Sequence, residues 1–344
     1  MSAVNMTNSS LQSLVDASGI KAMQGGVLFG LNLIIIIVIF FHRLLRQQKE
    51  YIIVAGRAFC DALRGFAMII TGLGRIFMVK YGSGFVYVSR WECYLKPWNI
   101  LFDFSDPLGA YVLVMVSLDR LFAVSVPLRY FSLTTDYAWK MNGALFIFVL
   151  SNVAVGAVLS YTMPNSHVPL FPSYCYYSEH SDHPAYQQYI VLCRIVPPTI
   201  SVILYAFVLI RLRQHYSRMT GVSEQQQAQQ MKKLGQITIT LGIACFVTLT
   251  VHVIPVLYQY AFVPYLGAPA WASMYSDVYL LNNMEPLMNI FIYLVRQKDL
   301  RAAFILVLRC KQLKPATQNA VRHTGSDPPR HSQQRNVIAV QSVQ

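Results

Sequence analysis

Two adjacent residues of opposite charge, Asp119 and Arg120, stand near the end of an apolar run that carries two further acids, Asp103 and Asp106. A helix from Cys93 to Arg120 would be roughly 40 Å long at 1.5 Å per residue. The hydrocarbon core of a bilayer is about 30 Å thick, so both ends of such a helix would reach an interface. Asp106 and Arg120 would lie only about 40° apart around a 3.6-residue helix. If Asp106 avoids lipid, Arg120 therefore faces inward with it. An acid and an Arg placed inside a spanning helix are costly, and such placements are functional by default. The alternative is that Arg120 snorkels to the head groups.

Other ionisable groups repeat the pattern. Arg57, Asp61 and Arg64 follow at i, i+4 and i+7, one helical face. Three such groups on a stripe cannot face lipid, so the stripe must be inward and paired, as a structural network or as a switch. Asn282, Glu285, Asn289 and Tyr293 form a second inward stripe at spacings of three and four. Asp103 and Asp106 could hold a ligand amine, and Arg64 and Arg194 could hold a carboxylate. The competing expectation is that these charges neutralise one another, because an unpaired buried charge is expensive. His167, His180 and His183 sit in a Pro-rich loop with no enforced ligand geometry, so no metal is expected. No nucleophile–base set emerges either, so the chain does not read as an enzyme, and no cofactor is expected.

The elements that position these groups are apolar. The 344 residues are 55% hydrophobic and 12% charged, with a mean hydropathy of +0.41. Residues 22–41, 141–163 and 234–270 contain no Asp, Glu, Lys or Arg, and about 20 apolar residues suffice to span a bilayer. The chain reads as an all-α membrane protein, a seven-transmembrane helix bundle. Its expected spans are residues 23–44, 52–77, 93–120, 139–161, 187–213, a sixth from Lys232 bending at Pro255, and 271–295. The net charge of +13 concentrates in residues 42–50, 211–233 and 296–335, while residues 163–189 lack Lys and Arg. Alternating basic loops follow the positive-inside rule. They imply an extracellular N-terminus and a cytoplasmic C-terminus, and they account for the charge without nucleic acid.

Four domains follow. Residues 1–21 are a polar extracellular tail with glycosylation sequons at Asn5 and Asn8. Residues 22–295 are the transmembrane domain. Residues 296–310 are a short amphipathic, basic helix on the membrane surface, ending in Cys310, a palmitoylation candidate. Residues 311–344 are a disordered cytoplasmic tail. Cys93 and Cys175 both fall on the outer side, where oxidation is allowed, and one bridge between them is the economical reading.

Taken in order, these residues resemble the rhodopsin-like G-protein-coupled receptors over roughly residues 22–310. Asp119-Arg120-Leu121 with Pro127-Leu128 is similar to the family's Asp-Arg-Tyr motif and following loop. Asn32 and Asp61 match the polar landmarks of helices one and two, Pro197 with Tyr205 those of helix five, and Pro255 that of helix six. Asn289 to Tyr293 looks like Asn-Pro-x-x-Tyr without its Pro. Cys93 and Cys175 match the family's extracellular disulfide. Val253 replaces the usual helix-six Trp, and Gly235 stands where many members keep an acid that pairs with the helix-three Arg. These departures and the extra intramembrane charges are similar to the divergent invertebrate, especially nematode, chemoreceptor branches.

The resemblance implies a plasma-membrane receptor that binds an extracellular small molecule or peptide and activates a heterotrimeric G protein. Asp119, Arg120, Tyr205, Asn289 and Tyr293 would form the inner switch. Asn32, Arg57, Asp61, Arg64 and Glu285 would form an intramembrane polar network, and Asp103, Asp106, Arg194 and His252 the candidate ligand pocket. With Gly235 in place of the acid, Asp119 itself is the expected restraint on Arg120, which predicts high basal signalling. A light receptor is disfavoured, because residues 271–295 contain no Lys for a retinal Schiff base. The rival class is an ion channel or transporter using the intramembrane charges as an ion path, although no internal repeats support it.

Overall fold

The computed structural model describes residues 8–81, 86–175, 181–218, 235, 238–240, 242–261, 281–296 and 298–308. Asn5, Cys310 and the whole of the proposed C-terminal tail, residues 311–344, lie outside the described residues. Among the described residues, six helices are long and apolar enough to cross a membrane: Gln12–Phe41, Lys49–Lys80, Pro97–Ser125, Thr135–Thr162, Pro184–Gln214 and Thr238–Tyr258. The seventh expected span is described only from Leu281.

The chain runs α1 (Asn8–Phe41), α2 (Arg43–Arg46), α3 (Lys49–Lys80), β1 (Tyr87–Ser89), α4 (Arg90–Tyr94), α5 (Pro97–Ser125), α6 (Pro127–Ser132), α7 (Thr135–Thr162), β2 (Pro169–Pro172) and α8 (Pro184–Arg218). Residues 242–247 then lead into a π-helical turn, Thr248–Val253, followed by α9 (Ile254–Ala261), α10 (Met284–Arg296) and α11 (Lys298–Leu308). β1 and β2 pair antiparallel, with Val88 opposite Phe171. Cys93 bonds to Cys175, tying α4 to the loop after β2.

Two boundaries differ from the sequence expectation, each for a local reason. The expected span from Cys93 is broken, so that Cys93 lies in α4 and α5 starts at Pro97. Pro fits the first helical position, where its missing N–H costs nothing, and Lys96 before it is extended (φ −61°, ψ 130°). α1 starts at Asn8 rather than Met23, so part of the expected polar tail is helical. The added turns are polar in composition, but Leu14 and Ser18 on one face are buried. α11 lies within the expected surface helix, and its Leu300, Ala303 and Phe304 pack against the α1 and α3 core while Arg301 stays exposed.

Small residues set how closely α1 and α3 approach, as is usual where lipid offers no hydrophobic drive between helices. A Cβ placed on Gly65 would stand 2.6 Å from the Phe29 backbone nitrogen, and one on Gly25 would stand 2.6 Å from the Gly65 carbonyl oxygen. Gly65→Leu is therefore expected to cost about 1–3 kcal/mol or more by overpacking. A fall in the protein's unfolding temperature in lipid nanodiscs would register it, and an unchanged temperature would show that the helices part freely.

α5 and α8 meet through hydroxyls, with Ser117 Oγ 2.8 Å from Ser201 Oγ and Ser201 donating to the Leu113 carbonyl at 3.2 Å. The interior of α8 carries Pro197 and Pro198, tolerated where neighbours satisfy the freed carbonyls. The π-helical turn ends just before Ile254-Pro255. Pro255 has no N–H to continue an ordinary helical ladder, and such widened turns are frequent at functional sites.

Candidate functional site

Three clusters of buried polar side chains run through the bundle. At one end, Arg120 and Asp119 are buried at 2% and 1% exposure. Arg120 Nε donates to Asp119 Oδ2 at 2.9 Å, and its Nη2 also contacts that oxygen. Arg120 Nη2 donates to the Tyr130 hydroxyl at 2.6 Å, and that hydroxyl donates to Asp119 Oδ2 at 3.3 Å. Arg120 does not snorkel. Its charge is held inside a closed triangle of charge-assisted bonds.

Tyr130 is the residue that sequence reasoning missed. It lies on α6, where Pro127 at the first position restarts the helix after the α5 end. Lys49, the first residue of α3, donates to the Tyr130 and Leu133 carbonyls, the latter at 3.0 Å. Lys49 Nζ also stands 3.9 Å from the Tyr130 ring centre, so one cation pins α6 by hydrogen bonds and by the ring face. The signal was visible only as a Tyr ten residues after an Arg, a spacing that no single helix face explains.

The other expected switch residues are placed differently. The Tyr205 hydroxyl donates to the Thr238 carbonyl at 2.6 Å rather than to Arg120, tying α8 to the sixth span. Tyr293 is buried and lines a small cavity of about 10 Å³ with Glu50, Arg57 and Arg120. Asn289 donates through Nδ2 to Glu285 Oε1 and so belongs to the central cluster.

That central cluster is organised by Arg57. Its Nε donates to Asp61 Oδ2 at 3.0 Å, its Nη1 to the Gly109 carbonyl at 3.1 Å, and its Nη2 to Glu285 Oε2 at 3.2 Å. Thr248, in the π-helical turn, donates to Glu285 Oε1 at 2.8 Å. One guanidinium thus joins α3, α5 and α10, and the carboxylate it holds recruits the sixth span. The i, i+4 relation of Arg57 and Asp61 was readable from spacing, whereas Glu285 and Thr248 are tertiary partners that local pattern does not reveal. Asn32 bonds the Leu28 carbonyl of its own helix at 2.9 Å, so it does not bond into this network directly.

In the third cluster, Asp106 stands between two arginines. Arg194 Nη2 and Nε reach Asp106 Oδ2 at 2.6 and 3.2 Å, and Arg64 Nε is 3.7 Å from Oδ1. His252 Nε2 is 3.1 Å from the Arg194 carbonyl oxygen. Asp103 is buried at 6% exposure and its Oδ2 has no hydrogen-bond partner. Mutual pairing therefore describes Asp106, Arg64 and Arg194, whereas Asp103 forms no ion pair with either Arg. A cavity of about 30 Å³ links this cluster to the central one, lined by Arg57, Asp61, Arg64, Asp106, Arg194 and Glu285 among others. Those six carry three positive and three negative charges, so the cavity wall is close to neutral.

Next to the third cluster lies the loop before α8. Ser181 Oγ donates to Asp182 Oδ1 at 2.8 Å, and Arg90 Nη1 donates to the Asp182 carbonyl at 2.7 Å. Burial pushes the Asp182 carboxyl up to about 6. Arg75, near the end of α3, donates to the Tyr174 and Cys175 carbonyls at 3.3 and 3.1 Å. Together with the Cys93–Cys175 bond, these contacts fasten the loop across the bundle end. Among the described residues no group of His, Cys, Asp and Glu is arranged to hold a metal ion.

The arrangement can do two things chemically. Its ion pairs cross between helices, so a shift of one helix changes the partners of charges on others. Each charge also sits where a change of partner is costly, which favours discrete alternative states over gradual drift. Residues 27–308 match the family model described as serpentine type 7TM GPCR chemoreceptor Srsx. No curated protein matches the chain.

Proposed function

Because the chain belongs to the serpentine type 7TM GPCR chemoreceptor family Srsx, we propose that it senses an extracellular chemical cue and activates a heterotrimeric G protein. In this reading it is a multi-pass plasma-membrane receptor with its N-terminus outside and its C-terminus inside. The Asp106 cluster and the disulfide-tied loop form the cue-binding half, and Arg120 lies at the cytoplasmic mouth. The basic residues within 42–50 and 211–218 near that mouth support the orientation. α11 then lies along the inner membrane surface, with its apolar face against α1.

The observation that carries the proposal is the enclosure of Arg120 by Asp119 and Tyr130 at one end of a series of buried ion pairs. A cue that changes the pairing around Asp106 shifts α8 against α5. His252 and Thr248 couple that shift to the π-helical turn and to Glu285. Movement of the sixth span away from α8 would release the Tyr205–Thr238 bond, and opening of the α5–α6 corner would free Arg120 to line a G-protein cavity. This requires only that the cue bind the two arrangements with different affinity.

The test is Arg120→Ala, assayed for agonist-evoked G-protein activation in cells at matched surface expression. Signalling should fall below about a tenth of the parent, the equivalent of 1.4 kcal/mol or more of lost coupling. Intact signalling would remove Arg120 from the switch. Ion flux that persists in cells without G proteins would instead support a channel.

A further inference from the structure

The Asp106 cluster has an unfinished geometry. Arg194 places Nε and Nη2 on a single oxygen, Asp106 Oδ2, at 3.2 and 2.6 Å. The other oxygen, Oδ1, is buried with no hydrogen-bond partner, and Arg64 Nε, 3.7 Å away, has none either. A guanidinium and a carboxylate ordinarily meet through two parallel bonds, one to each oxygen. Here two guanidiniums from different helices, α3 and α8, share one carboxylate on α5, and the fit is incomplete on the Arg64 side.

Space and exposure agree with that asymmetry. The adjoining cavity of about 30 Å³ is also lined by Ser105 and His252, and both Ser105 Oγ and His252 Nδ1 lack partners. That volume admits a water or two, or the head group of a small anion. Arg194 and Arg64 keep side-chain exposures of 25% and 15%, against 4% for Asp106, so the cations are more reachable than the acid. Around this half of the bundle stand Lys21, whose Nζ lies 4.7 Å from the Phe102 ring centre, Arg64, Arg75, Arg90 and Arg194. Glu92, Asp103, Asp106 and Asp182 stand on the same side, so the charges nearly balance, and what favours an anion is the greater reach of Arg64 and Arg194.

We propose that this cavity is a carboxylate subsite, and that Asp106 is an internal stand-in for the acid group of the ligand. The proposal rests on the reading that this half of the bundle binds the cue, and it names the cue's class as an organic acid. An arriving carboxylate completes the hydrogen bonding of Arg64 and competes with Asp106 for Arg194. The α5–α8 tie then loosens, which is the movement that the signalling mechanism needs.

The test uses the full-length receptor in lipid nanodiscs and follows thermal unfolding with sodium acetate, against acetamide and against sodium chloride at equal ionic strength. Acetate should raise the unfolding temperature saturably, and acetamide, the neutral isostere, should not. Arg194→Gln should abolish the acetate shift. Asp106→Asn should lower the half-saturating concentration about tenfold, since the competing acid is gone. Arg194→Lys keeps the charge but loses the fork, and it should raise the half-saturating concentration about tenfold even if the Gln variant folds poorly. An equal shift with acetamide, a non-saturable salt effect only, or an acetate shift that survives in Arg194→Lys unchanged would overturn the subsite. The readout needs no G protein, so its failure leaves the receptor reading standing, and failure of the Arg120 test leaves this one intact.

Discussion

Replacing Arg57 by Met is expected to destabilise the receptor by about 3–5 kcal/mol, enough to deplete it from the cell surface. The reason lies in what remains rather than in what is removed. Arg57 is 5% exposed and bonds Asp61, Glu285 and the Gly109 carbonyl at once. Without it, two buried carboxylates lose the guanidinium that both of them bond. A single charged hydrogen bond is worth only about 1.5–3 kcal/mol net, so the larger figure reflects the uncompensated acids. The prediction therefore has a second arm, in which Arg57→Met combined with Asp61→Asn and Glu285→Gln recovers at least half of the lost stability. Surface expression and thermal unfolding in nanodiscs would measure both. A stable single variant would show that the cluster does not hold α3, α5 and α10 together. A triple variant as unstable as the single would place the cost in packing instead of charge.

This dependence explains why some of the molecule was legible from residues alone and some was not. Arg57, Asp61 and Arg64 declared an inward face because charges at helical spacing cannot meet lipid, and all three do point into the bundle. The same argument turned Asp106 and Arg120 inward together. The pairing of Cys93 with Cys175 followed from compartment, since these two of the six cysteines were the ones expected on the outer side. What spacing could not supply was the identity of partners across helices. Arg64 left the Arg57–Asp61 pair to meet Asp106 of α5, and Tyr205 bonded a backbone carbonyl of the sixth span rather than converging on Arg120. The early start of α1 was hidden because its first turns are polar in total, with Leu14 the buried apolar residue among them. Tyr130 was hidden because α6 folds back after Pro127, and only that reversal brings a hydroxyl to Arg120.

Tyr130 changes what to expect at rest. With Gly235 where many related receptors keep an acid, Asp119 was the expected lone restraint on Arg120, and high basal signalling followed. The structure adds a second bond from Tyr130, itself pinned by Lys49. Asp119→Asn is therefore the informative change. It removes the charge that two Arg120 nitrogens and the Tyr130 hydroxyl all address, while keeping nearly the same volume. Losing about 2 kcal/mol of charge-assisted bonding in the resting state raises the population with Arg120 free by roughly thirtyfold. Basal loading of a non-hydrolysable GTP analogue, measured in membranes at equal receptor density, should rise at least tenfold. Tyr130→Phe should give a smaller rise, because it removes a neutral hydroxyl and leaves the Asp119 pair in place. Adding Arg120→Ala to Asp119→Asn should return the signal to background, since in the proposed mechanism the freed Arg engages the G protein and a merely loosened bundle would not need it. Basal loading at or below the parent in Asp119→Asn would mean that Arg120 is held elsewhere. A double variant that stays active would mean that the gain comes from disorder at the Arg120 end of the bundle and not from release of this one side chain.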